Sequence, residues 1–397
     1  MKLKNIVFTV VLLLLMAACN SVPDTNISEI KSNPNIVPEY SGITIPFNIA
    51  SLNFSIEEEG ESYFLKIVAE KGTSISLSSK KGIITIPHKK WKKLLEQNKN
   101  GKIDYQVYVK REGEWKQFET FSNHILGSAI DPFLYYRLLY PGYESWTEIS
   151  IVQRNLENFG EKTVVKNNVV DQNCVNCHSV NQQNPDNFMF HMRGSMGGTY
   201  FVSEGGLKKV NLKTKEMKNG AVYPRWHPSG NFVAFSSNKV FQRFHSMENK
   251  KIEVSDMNSS LVLYDVQKNE MMQIPVDISK NFMDTYPESS PDGGYLYFCR
   301  AKQMEEEYDY RDTKYNLCRA QFNPEIRTFG EPETIINAEA EGKSISFPRI
   351  SPNGNSLVFT YHNYSCFPIW HKEADLYSIN LKDFSTEKLD VINTAAI

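Results

Sequence analysis

The chain lacks any charge imbalance. Its 397 residues carry 44 Lys and Arg against 46 Asp and Glu, for a formal net charge of -2. That leaves no electrostatic footprint for nucleic acid. Long apolar runs are also missing. The one run that stands out, Ile6 to Met16, has signal-peptide length and is too short to span a bilayer. No nucleophile elbow, phosphate loop or paired-carboxylate motif is present. The small-residue run Gly194–Gly198 lacks the Gly-Lys-Ser/Thr end that phosphate binding needs. Cysteines number six.

Aromatic residues make up 12% of the chain. Many sit in short alternating runs, which favours strands over helices. The length suits two or three domains. At the N-terminus, Lys2 and Lys4 precede the apolar run, which ends in Met16-Ala17-Ala18-Cys19. Small residues before a cysteine have the form of a lipobox. Residues 1–18 then read as a lipoprotein signal peptide and Cys19 as the lipidated mature N-terminus. The alternative is an ordinary signal peptide with a chance cysteine at the cleavage point. Acyl chains at Cys19 would anchor the protein by ~0.8 kcal/mol per buried CH₂. The expected location is the cell envelope, on the periplasmic face of a membrane or on the cell surface. Five cysteines remain, Cys174, Cys177, Cys299, Cys318 and Cys366, an odd number for an oxidising compartment.

Residues 19–40 are rich in Asn, Ser and Pro and read as a flexible tether. Residues 41–125 read as a small immunoglobulin-like β-sandwich. Within it, Ile103, Tyr105, Val107 and Val109 alternate with polar partners. One helix is expected from Pro87 to Gln97, with Trp91, Leu94 and Leu95 on its core face and Lys89, Lys90, Lys92 and Lys93 in solvent.

Residues 126–397 contain an internal repeat. Tyr223-Pro224-Arg225-Trp226-His227-Pro228-Ser229-Gly230, Tyr286-Pro287-Glu288-Ser289-Ser290-Pro291-Asp292-Gly293 and Phe347-Pro348-Arg349-Ile350-Ser351-Pro352-Asn353-Gly354 align without gaps. Each precedes a strand, and Pro followed two residues later by Gly makes a tight hairpin. The copies recur at roughly 60 residues, against ~40–50 for common propeller repeats. The excess lies in Lys239–Ser260 and Lys302–Lys314, which are expected as long loops. These segments resemble the WD40-like repeat of TolB-type β-propellers. The first copy departs from that pattern at His227 and Ser229, the second at Ser289. Two weaker copies, around residues 131–152 and 198–212, bring the recognisable blades to about five. The resemblance implies six, so the expectation is that the last blade is missing or that this is a truncated or frameshifted copy. The fold class expected is therefore all-β, a sandwich followed by a propeller, with a short cofactor-binding insert at about 165–200.

That insert contains Cys174-Val175-Asn176-Cys177-His178, a match to C-x-x-C-H, the c-type haem attachment motif. Two thiols add to the haem vinyl groups and the adjacent His binds iron axially. A zinc site built from Cys174, Cys177, His178 and His191, and a plain disulfide, are the alternatives. Second axial ligands on offer are His191 and Met192, with Met189 and Met196 nearby; Arg193 suits a haem propionate. His227, His245, His362 and His371 read as structural. Cys299 and Cys318 are expected to be buried thiols or a disulfide. The mature chain also resembles TolB-like lipoproteins of Bacteroidetes, which carry Cys-x-Asn-Cys-His-Ser and then Phe-His-x-Arg ahead of their propeller repeats. The matching residues are Cys174, Asn176, Cys177, His178, Ser179, Phe190, His191 and Arg193. The resemblance implies haem and an envelope location. The function expected is electron transfer or redox sensing with an envelope protein partner. A propeller scaffold docking an envelope protein or glycan, and a peroxidase-like enzyme, are the alternatives.

Overall fold

The computed structural model describes residues 27–139, 148–214, 219–247, 250–275, 281–304, 310–369 and 371–393. The expected signal segment and the expected lipidation site, Cys19, lie outside the described residues. Two compact units emerge, one of residues 1–134 and 153–162, the other of residues 135–152 and 163–397.

The first unit holds β1 (Ile27–Glu29), β2 (Ile36–Val37), β3 (Thr44–Pro46), β4 (Phe54–Ile56), β5 (Ser62–Ala69), β6 (Ile75–Ser79), β7 (Ile83–Ile84), α1 (His88–Gln97), β8 (Lys102–Arg111), β9 (Glu114–Gln117) and β10 (Phe121–Leu126). The alternating strand β8 is its spine. It pairs with β5 on one edge and with β9 and β10 on the other. A second sheet, β2-β4-β7, shares one apolar core with it. Trp91, Leu94 and Leu95 of α1 enter that core, and Trp91 Nε1 donates to the Ile49 carbonyl at 3.1 Å. The four lysines of the other face are exposed. The tether expected through residue 40 is shorter than that. Ile27–Glu29 pairs with β9, and Ile36 is buried in the core. Polar composition concealed this, because the segment is held largely through its backbone.

A three-stranded sheet follows, β11 (Phe133–Leu139), β12 (Ile149–Asn155) and β13 (Glu161–Lys166). Next comes β14 (Cys174–Val180), β15 (Phe188–Arg193), β16 (Gly198–Ser203) and β17 (Gly206–Val210). The third sheet is β18 (Ala221–Trp226), β19 (Phe232–Met247), β20 (Lys250–Asp265) and β21 (Glu270–Gln273). The fourth is β22 (Phe282–Ser289), β23 (Tyr295–Lys302), β24 (Asn316–Asn323), β25 (Thr328–Phe329) and β26 (Glu333–Ile336). The fifth is β27 (Ser344–Ile350), β28 (Ser356–His362), β29 (Asp375–Asn380) and β30 (Thr386–Lys388). The strands of each sheet pair in chain order, except that β26 of the fourth sheet pairs with β24. Apolar clusters join each sheet to the next. The protein is all-β, and its second unit is propeller-like, with five blades among the described residues.

The leading strands of the blades explain the repeat. In β18, β22 and β27 the register slips at Val222/Arg225, Thr285/Glu288 and Ser346/Arg349. Each bulge is made by a residue with left-handed φ, Tyr223 at 52°, Tyr286 at 53° and Phe347 at 54°. Their rings gather, with centroids 4.5 Å apart for Tyr223–Tyr286 and 4.4 Å for Tyr286–Phe347. Two residues on, Arg225 Nε meets Glu288 at 2.8 Å and Arg349 meets it at 3.5 Å. The repeat glycines take φ of 71°, 76° and 70° in the hairpin turns, as expected of that sequence.

Two expectations need correction. Lys239–Ser260 is no loop, since β19 and β20 continue pairing through it as one long hairpin. Nor is the cysteine segment an insert beside the propeller. Its strand β14 leads a full blade, and its register slips at Asn176/Ser179, where Cys177 has φ 51°. Cys177 thus occupies the position that Tyr223, Tyr286 and Phe347 hold in the other blades, and His178 occupies the position of the repeat proline.

Candidate functional site

The C-x-x-C-H strand is built around a bulge. Cys177 N–H donates to its neighbour's side chain, Asn176 Oδ1, at 2.8 Å, and Arg137 Nη1 of β11 donates to the same oxygen. A non-glycine residue at positive φ costs of order 1–3 kcal/mol unless its surroundings fix it. Asn176 provides that fixing. At the slip the Cys177 thiol lies against the backbone of Tyr223 in the next blade, whereas Cys174 belongs to the apolar cluster it shares with Ile149 and Ile151.

Cys174 is buried among Ile149, Ile151, Phe188, Phe190 and Met192. Burial pushes both thiols above their ordinary range, while the guanidiniums of Arg137 and Arg193 pull the other way. His178 Nε2 donates to the Tyr135 carbonyl at 3.3 Å. Burial pulls its pKa down, Arg137 and Arg225 add to that, and the Tyr135 bond opposes it. The imidazole is therefore neutral at pH 7, the state that binds a metal.

The second-ligand candidates diverge. Along β15, Phe188, Phe190 and Met192 lie in the cluster that holds Cys174, while Met189 lies in the cluster of the next blade. His191 shares the face of Met189 by strand alternation. Its Nδ1 bonds Thr199 Oγ1 at 3.1 Å, and its Nε2 side lies against Gly220. Burial, then Arg193 and Lys213, pull His191 down to about 4. His178, by contrast, is tied to Tyr135 of the preceding blade, so the structure does not bring His178 and His191 together. Among the described residues no group of three or more His, Cys, Asp or Glu is placed to hold a metal ion. The four-residue zinc site is not assembled. Arg193 is exposed and pairs across the ladder with Cys174.

Beside the strand opens an apolar cleft of about 450 Å³, lined among others by Val164, Val165, Phe190, Met192, Met196 and Tyr200. Sequence reasoning missed Arg137, the bulge-fixing role of Asn176 and the cleft. Only Asn176 left a signal, as a polar residue inside the motif. A covalent haem calls for two thiols, a neutral imidazole, cations for its carboxylates and an apolar seat. This strand and its neighbours supply the donor types, while none of Cys174, Cys177 and His178 lines the cleft.

The remaining candidates have structural roles. His227 accepts from Ser229 N at Nδ1 and donates from Nε2 to the Gly293 carbonyl at 3.1 Å, locking one hairpin turn onto the next. His362 Nε2 meets Ser346 Oγ at 2.9 Å. Cys299 and Cys318 are buried thiols. Cys299 stands opposite Leu317 and Cys318 opposite Phe298, and the two enter different clusters, so their side chains point to opposite faces of the sheet.

No protein-family model matches the chain, and no curated protein matches it. Solved structures match at low identity. An oligogalacturonate lyase from Vibrio parahaemolyticus is 12% identical, over 65% of this chain and 62% of that one, at TM-score 0.40. A puromycin-hydrolysing peptidase from Mycobacterium tuberculosis is 12% identical, over 66% of this chain and 38% of that one, at TM-score 0.40. A DUF4784 family protein from Bacteroides caccae is 9% identical, over 92% of this chain and 97% of that one, at TM-score 0.34. The chain thus spans less than two thirds of the length of the first two. These likenesses are loose, and the fold rests on the sheets themselves.

Proposed function

We propose that this protein is a monohaem c-type cytochrome on a TolB-like propeller, tethered to a membrane of the cell envelope through Cys19. It would exchange electrons with an envelope protein partner or sense redox state. The observation that carries the reading is the single strand β14, which holds Cys174, Cys177 and a neutral His178 beside Arg137 and Arg193. Haem, once bound, supplies one-electron exchange at iron.

The chain's own residues set the terms of that exchange. Cys174 and Cys177 fix the group covalently, so reduction cannot release it. In neutral His178 the proton sits on Nε2, facing the Tyr135 carbonyl, so Nδ1 is the unprotonated nitrogen, and binding through Nε2 would need that proton to move to Nδ1. Arg137 and Arg193 would offer guanidinium forks to the carboxylates of such a group. Phe188, Phe190 and Tyr200 exclude water from the side of the blade that holds Cys174, and a dry setting is a lever on the potential.

Intact-mass measurement tests this. The protein from a host with c-type maturation should carry the mass of one haem through denaturation. The Cys174→Ala, Cys177→Ala double variant should carry none. A wild-type mass equal to the bare polypeptide would overturn the reading.

A further inference from the structure

We infer that the propeller binds a small dianion, its charge on carboxylate or phosphate oxygens, between Arg225 and Arg349 where the leading strands of the third, fourth and fifth blades converge. The cytochrome reading uses neither arginine, and the site does not depend on haem.

The residues stand at equivalent places. Arg225, Glu288 and Arg349 each lie two positions after the left-handed bulge residue of β18, β22 and β27. The bulge rings of these strands gather, which draws the following side chains together. Arg225 Nε meets Glu288 Oε2 at 2.8 Å, and Arg349 Nη1 meets the same oxygen at 3.5 Å. One carboxylate thus stands between two guanidiniums. Positive charge continues into the earlier blades, because Arg137 and Arg225 both act on His178, whose own pKa burial pulls down. Among the described residues no carboxylate but Glu288 acts on Arg349, and none acts on His178. Three arginines against one glutamate leave two positive charges over.

The donors are not used up. Among the described residues, the oxygens these two guanidiniums meet are Glu288 Oε2 and, for Arg349, the Pro348 carbonyl. A guanidinium carries five N–H groups in a planar fork, so each keeps an open edge. The place is a recess that water reaches. The Arg349 side chain is 44% exposed, yet burial is the main cause that pulls its pKa down to about 10, and Arg225 is the next. Like charges held together in a recess cost energy that a bound anion offsets. The fork geometry suits the paired oxygens of a carboxylate or phosphate. Glu288 holds the two guanidiniums together and competes with the anion for them.

Isothermal titration calorimetry of the full-length protein tests this. The probes are inorganic phosphate and succinate, at mildly alkaline pH where both are dianions, with acetate at matched ionic strength. One or both dianions should bind saturably, and acetate about tenfold more weakly or worse. Binding of phosphate alone would identify phosphate oxygens as the recognised group, and binding of succinate alone paired carboxylates. Arg349→Gln should weaken the dianion by about tenfold or more, with its circular dichroism unchanged because Arg225 still pairs with Glu288. Glu288→Gln removes the competitor and should tighten binding. Those opposite signs separate a binding role from a structural one, since loss of structure would weaken binding in both variants. Should Glu288→Gln fail to fold, Arg349→Gln and the acetate comparison decide. No saturable binding of either dianion, acetate binding as tightly, or an unchanged affinity in Arg349→Gln would overturn the inference.

Discussion

Gly194 shows at residue scale how tightly the motif's surroundings are set. Its left-handed φ and the 2.6 Å approach to Asn173 Oδ1 leave no place for a Cβ. Gly194→Ala should cost about 2 kcal/mol, from strain and from displacing Asn173. Urea unfolding followed by tryptophan fluorescence measures that cost. His191 carries a pH dependence whose sign follows from burial. In the folded chain its pKa is pulled down to about 4, against an ordinary 6.5. As pH falls below 6.5 the unfolded chain takes up the proton first, so stability declines, and the loss is complete once pH passes about 4. His362, pulled down to about 3, acts in the same direction. Asp256, pushed up to about 6 by burial, opposes them, because its folded form keeps a proton that the unfolded chain releases above 3.8. The urea midpoint should therefore fall between pH 7 and pH 5. In His191→Gln it should fall less, by on the order of 1–2 kcal/mol. Equal losses in both proteins would contradict this account of the buried imidazole.

At the scale of elements, α1 was legible because its three apolar residues fall at helical spacing and its lysines fall opposite. Trp91 is fully buried and hydrogen-bonded to Ile49. Trp91→Ala should cost about 3–5 kcal/mol, seen as an earlier transition of the first unit in chemical denaturation. The blade strands β18, β22 and β27 were legible too, because aromatic-Pro and the turn glycine recur in all three. Their kinship with β14 was hidden. There the aromatic is replaced by Cys177 and the proline by His178, so neither marker of the repeat survives. What is shared is backbone geometry, a bulge at left-handed φ, which leaves no fixed residue type behind. The hairpin of β19 and β20 was hidden for a related reason. Its outer half is rich in polar residues, and segments of other blades bury some of them, as Tyr310 Oη donating to the buried Glu253 Oε2 shows.

For the molecule as a whole, the all-β architecture and the propeller-like second unit followed from alternation and repeat. The site followed only in part. The sequence placed Cys174, Cys177 and His178 together because they are neighbours in the chain. It did not show that Phe188–Arg193 is a strand, whose alternation turns His191 away from Met192. Nor could it pair Arg137 with Asn176, which lie 39 residues apart and on adjacent blades. The claim that joins these scales is that the leading strand of the second blade attaches a haem. The most direct measurement is the optical spectrum of the matured protein, oxidised and then dithionite-reduced, with Cys174→Ala alongside. The account predicts a Soret band and a sharp reduced α-band of c-type form, with the α-band shifted or lost in the variant. A wild-type protein with no Soret band would contradict it.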